Sequence, residues 1–159
     1  MFTKRLVLST ALLVVMAIQP VLAQNKAALI KATSDFQKQS TAVAASLADL
    51  TARTAKASPN DKDMLKLITS QIALVDVSSD GVLALGVVAA EVRDAGDVAI
   101  AKKYLAIRCK ALKTRAEGIA PYIGGLANNI AAPATVAEVR KARDLIAQLP
   151  EQALCSVGR

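Results

Sequence analysis

The sequence predicts an all-α fold: an up-and-down antiparallel four-helix bundle that follows a cleaved signal peptide and is closed by one disulfide. Three observations predict it. Apolar residues recur at three- and four-residue spacing in four successive segments. The links between those segments are short, which makes consecutive helices antiparallel neighbours. Only two cysteines occur in 159 residues, Cys109 and Cys155.

Residues 1–23 have the three parts of a signal peptide. Lys4 and Arg5 form a basic start, and Leu6 to Ile18 carries no charge. Pro20 is expected to break the helix, and Val21-Leu22-Ala23 suits a signal peptidase, so cleavage is expected before Gln24. The apolar run is shorter than the roughly 20 residues that span a bilayer. No later segment is expected to cross a membrane, because the longest uncharged stretch, residues 118–137, contains two prolines and three glycines. Residues 24–159 are then read as one domain, periplasmic or secreted.

The first helical segment places Leu29, Ala32, Phe36, Val43, Leu47 and Leu50 on one face, with no Gly or Pro between Asn25 and Ala57. Ser58-Pro59-Asn60 ends it. The second opens with Asn60 as the expected N-cap and Asp61 and Asp63 in its first turn. Leu65, Ile68, Ile72, Val75 and Leu83 form its stripe, while Asp76 and Asp80 fall on the polar side. From Val82 to Ala90 every residue is apolar or Gly, which predicts burial nearly all round at that level. Gly81 and Gly86 are expected to serve close helix packing.

Asp94 to Asp97 reads as a turn with a new N-cap. The third helix carries Val98, Ala101, Leu105, Cys109, Leu112, Ala116 and Ile119 inward, and Pro121 is expected to end or kink it near Ala120. Thr135 to Glu138 has the spacing of a capping box for the fourth helix. Val139, Ala142, Ile146 and Leu149 line its buried face, Pro150 ends it, and a last turn bears Cys155. In an oxidising compartment an even cysteine count implies a bridge, here tying the tail to the middle of the third helix.

Composition narrows function by exclusion. There is no His and no Trp, which removes the usual general base near neutral pH and the commonest metal ligand. No cofactor, metal or catalytic residue is expected, and the chain is read as a non-enzyme. Scarce aromatics argue against stacking on nucleic-acid bases, so nucleic acid is not expected as a partner. Without Lys4 and Arg5, 18 basic residues face 13 acidic ones, a net charge of +5.

Two candidate surfaces remain. Lys102, Lys103, Lys110 and Lys113 lie within about 100° on the third helix, and Arg140 and Arg143 add cations on the fourth. Together they point to an acidic protein partner or an anionic envelope surface. The alternative is a carrier of a small apolar ligand in a groove at Val82, Leu83, Leu85, Gly86 and Val87.

Overall fold

The computed structural model describes residues 3–157, with side chains described from Lys26 to Val157. Its elements are α1 (Thr3–Lys56), α2 (Pro59–Glu91), α3 (Ala95–Ala127) and α4 (Pro133–Gln148). Two short 3-10 turns follow, Leu149–Glu151 and Ala153–Ser156. There is no strand among the described residues. The architecture is a helical bundle in which α1 packs on α2, α2 on α3, α3 on α4, and α4 returns to α1.

The core is the predicted set of stripes. Phe36, Val43 and Leu50 of α1 meet Leu65, Ile68, Ile72 and Val75 of α2, with Leu105, Leu112 and Ile123 of α3 and Val139 and Ile146 of α4. All are essentially inaccessible to solvent, and each such aliphatic side chain contributes about 1.5–3 kcal/mol of transfer free energy. Leu47 and Leu83 are half-buried at the rim of that core.

Where helices start differs from expectation at two places. Ser58, not Asn60, caps α2: its Oγ accepts from the Asp61 backbone N–H at 3.3 Å, and Pro59 stands at the first helical position. Pro lacks the N–H that would be unpaired there, so the start moves upstream. Likewise α4 begins at Pro133 rather than at a capping box. Thr135 is buried inside the helix, and Glu138 accepts instead from Ser46 Oγ at 2.7 Å and Lys141 Nζ at 3.1 Å. Asp94 does cap α3, accepting from Gly96 and Asp97 at 2.8 and 3.2 Å, and residues 95–97 are already helical.

Pro121 does not end α3, which continues to Ala127. Its ring and Glu117 both lie on the solvent side, so water can satisfy the carbonyl that the missing N–H leaves free. Pro20 likewise lies within α1 rather than at its end. The cleavage motif around it falls among residues whose side chains are outside the described part.

Two further findings concern α2. By length and composition α2 is apolar enough to cross a membrane, with a mean hydropathy of 1.8 over its most apolar 18 residues. Asp76 and Asp80 interrupt the uncharged run without lowering that average enough. Nor is the stretch 82–90 buried all round. Val82, Gly86, Ala89 and Ala90 face the core, but Val87 and Val88 are exposed. The bundle covers only one side of α2, and the other side keeps its apolar residues.

The tail is pinned to the body. Cys109 and Cys155 form a disulfide with Cα atoms 5.4 Å apart, both residues buried. Next to it, Leu154 is fully buried over Gly86, where an added Cβ would stand 2.9 Å from Leu154 Cδ2 and 3.0 Å from Thr33 Oγ1. Gly86 therefore serves close packing, as expected, against Thr33 of α1 and also against the tail. Gly81 has open space instead.

Candidate functional site

The contact of α3 with α4 sets the two basic groups on neighbouring helices, at different heights. Lys102, Lys103, Lys110 and Lys113 lie along α3, where Lys103 and Lys110 are exposed and Lys102 and Lys113 half-buried. Arg140 and Arg143 sit further along, beside the last turns of α3. The Arg143 stem crosses Gly124 with Cδ 3.1 Å from where a Cβ would be, which is why a glycine suits that turn.

Their charges are not equivalent. Arg143 holds Asp144 at 2.7 Å, and Lys113 stands 3.7 Å from Glu117. Lys102, Lys103, Lys110 and Arg140 make no ion pair among the described residues. The uncompensated part of the positive face is thus centred on Lys102, Lys103 and Lys110, with Arg140 apart from it.

At the expected apolar groove, Val82 is completely buried and Gly86 is capped by Leu154. Leu83 and Leu85 are half-buried, and Val87 lines a shallow cleft of about 460 Å³ with Ile30, Thr33, Ala90 and Arg93.

One surface escaped the sequence reading. Ile100, Tyr104, Ile107 and Tyr122 of α3 and Leu74 and Val88 of α2 are each 47–57 % exposed. They occupy the outer side of the α2–α3 pair. A groove of about 680 Å³ there is lined by Leu74, Ile107, Ala111, Lys110 and Arg115. The signal was present in the sequence: residues 100, 104, 107 and 111 repeat the 4-3-4 spacing in a second register of α3. Arg115 reaches across the groove, donating to the Leu74 carbonyl at 3.0 Å and to Ser78 Oγ.

Ionisable groups elsewhere serve the fold. Asp61, buried under the α3–α4 loop, accepts from the Ala131 N–H at 3.0 Å. Ser40 and Ser79 pair at 2.8 Å inside the α1–α2 contact. Asp76 is half-buried, not on the wet side, and burial pushes its carboxyl above the usual range, with the Asp80 carboxylate adding to it. No group of three or more His, Cys, Asp or Glu among the described residues is placed to share a metal ion.

No protein-family model, curated protein or solved structure matches this chain.

Proposed function

We propose that the chain is an exported, non-enzymatic binding protein that recognises an anionic envelope component or an acidic protein partner through the basic side of α3. The observation that carries this reading is the trio Lys102, Lys103 and Lys110, clustered on one side of α3 without an ion-paired carboxylate. Exposed charges of one sign raise the local concentration of an opposite partner and speed its association.

Helix lengths support the export half of the proposal. α2 and α3 are each 33 residues long, about 50 Å. In an up-and-down antiparallel bundle the partner stretch of α1 should match them. Counting 33 residues back from Lys56 ends at Gln24, the expected first residue after cleavage. The buried disulfide fits an oxidising compartment such as the periplasm or the medium.

The test compares two variants with the same net charge. One changes Lys102, Lys103, Lys110 and Lys113 to Glu; the other changes Lys31, Lys38, Lys62 and Lys66. Binding to soluble polyglutamate should fall steeply in the first and little in the second. Equal losses would mean that net charge, not this face, drives binding, and the proposal would fall.

A further inference from the structure

We infer that the outer side of the α2–α3 pair is a docking surface for an anionic lipid bilayer, on which the bundle lies flat. The inference deepens the basic-face reading, on which it rests, by naming the anionic component as a membrane surface.

Three features converge on that side. The first is an apolar strip along both helices: Leu74 and Val88 on α2, Ile100, Ile107 and the two tyrosines on α3, all about half exposed. From Leu74 to Val88 the strip runs roughly 20 Å along α2. Apolar surface of this extent rimmed by polar residues marks an interaction site rather than scattered exposure. The second is the charge beside it. Lys103 and Lys110 run parallel to the strip one step around α3, and Lys110 lines the same groove as Ile107 and Leu74. Arg108 is exposed between the helices, and Arg115 makes no ion pair there among the described residues. On α2 the acids at positions 76, 80 and 91 fall on the other flank, while Asp63 shares the side of Leu74 and is paired with Lys66. The third is where the tyrosines stand. Tyr104 and Tyr122 are both exposed on this side, and a ring with an apolar body and a polar tip suits the headgroup level of a bilayer.

Charge decides the occupant. A second copy of the chain would bring Lys110, Arg108 and Arg115 against their own kind at the middle of the strip, with Asp97 one turn beyond Ile100 as the one unpaired acid at its end among the described residues. A neutral apolar partner would leave the same cations without counter-charge. An anionic bilayer supplies both requirements, taking apolar side chains to the acyl boundary while headgroup phosphates meet the rim, as for helices that lie in the interface plane. Each Lys or Arg near such a surface raises affinity about fivefold.

The test uses protein recovered after export, with its N-terminus read first. Flotation is measured with phosphatidylethanolamine vesicles containing phosphatidylglycerol and with phosphatidylcholine vesicles, and binding to soluble polyglutamate in parallel. Wild type should float with the anionic vesicles and at least about tenfold less with the neutral ones. A variant combining Leu74→Ser, Ile100→Ser and Ile107→Ser keeps every cation. It should lose at least about tenfold in vesicle binding while holding polyglutamate as before. Because the chain has two tyrosines and no Trp, its tyrosine emission reports this side without mutation. Emission should be quenched by vesicles with brominated acyl chains. Unquenched tyrosines, or a serine variant that floats like wild type, would overturn the inference, including the case where residues 1–23 do the binding. Polyglutamate binding without flotation would also overturn it while leaving the basic-face reading intact. Failure of both would remove both.

Discussion

Two glycines on one helix separate what a missing side chain does. At Gly81 nothing stands within 4 Å of an added Cβ, whereas at Gly86 the buried Leu154 and Thr33 do. Gly81→Ala should therefore raise stability by about 1 kcal/mol, the helix propensity it recovers. Gly86→Leu should lower it by about 1–3 kcal/mol through overpacking. Urea denaturation of the two variants reads both signs in one experiment. Asp76 gives the pH counterpart. Its folded pKa lies above the ordinary 3.8, first because it is half-buried and then because Asp80 is near. The unfolded chain thus releases this proton more readily, and the ionised group destabilises the fold once pH rises through the folded value. Asp76→Asn should raise Tm at pH 7, and the gain should vanish below about pH 3.8, where both states hold the proton. A gain that persists in acid would mean that the effect is packing rather than charge.

At the scale of elements, the tail behaves as a strap. It is short, lacks a helix of its own beyond two 3-10 turns, and is held by Cys155 and the buried Leu154. Closing a loop with a sequence separation of 46 lowers the entropy of the unfolded chain. Cys109→Ser with Cys155→Ser should accordingly cost about 4 kcal/mol in the chain-entropy account. Hydrogen exchange should show residues 149–157 losing protection before α1 to α3 do. Equal loss across the chain would mean that the strap is part of one cooperative core. The helices themselves were legible from periodicity, since Leu65, Ile68, Ile72 and Val75 could share a face only in a helix. Their starts were less legible. Ser58 and Asn60 are both competent caps, and Thr135 with Glu138 has a valid spacing. Proline at the first helical position settled both cases, and Glu138 was drawn away by Ser46, which lies 92 residues earlier.

For the whole molecule, the decisive prediction concerns its length. If α1 is matched to α2 and α3, protein recovered after export starts at Gln24 and has a mass about two hydrogens below the reduced value. Intact-mass measurement before and after reduction checks both points; a chain still carrying residues 1–23 would remove the export reading. The candidate site was partly legible at this scale. The cations along α3 could be read off one helix wheel, whereas their relation to Arg140 and Arg143 depends on how α3 and α4 meet. The apolar strip was hidden by its own chemistry. Ile100 and Ile107 have the residue type of a core, and only the side that the neighbours leave uncovered marks them as surface.

By itself the sequence determined the helical class, the number of helices, the buried stripes and the pairing of its two cysteines. Each follows from local periodicity or from a count that allows one answer. Tertiary structure decided which side of α2 and α3 stays bare, which cations find a carboxylate, and what fills the notch at Gly86. Those outcomes depend on contacts between residues far apart in the chain, such as Gly86 with Leu154 and Arg143 with Gly124, and no local pattern encodes which neighbour will arrive.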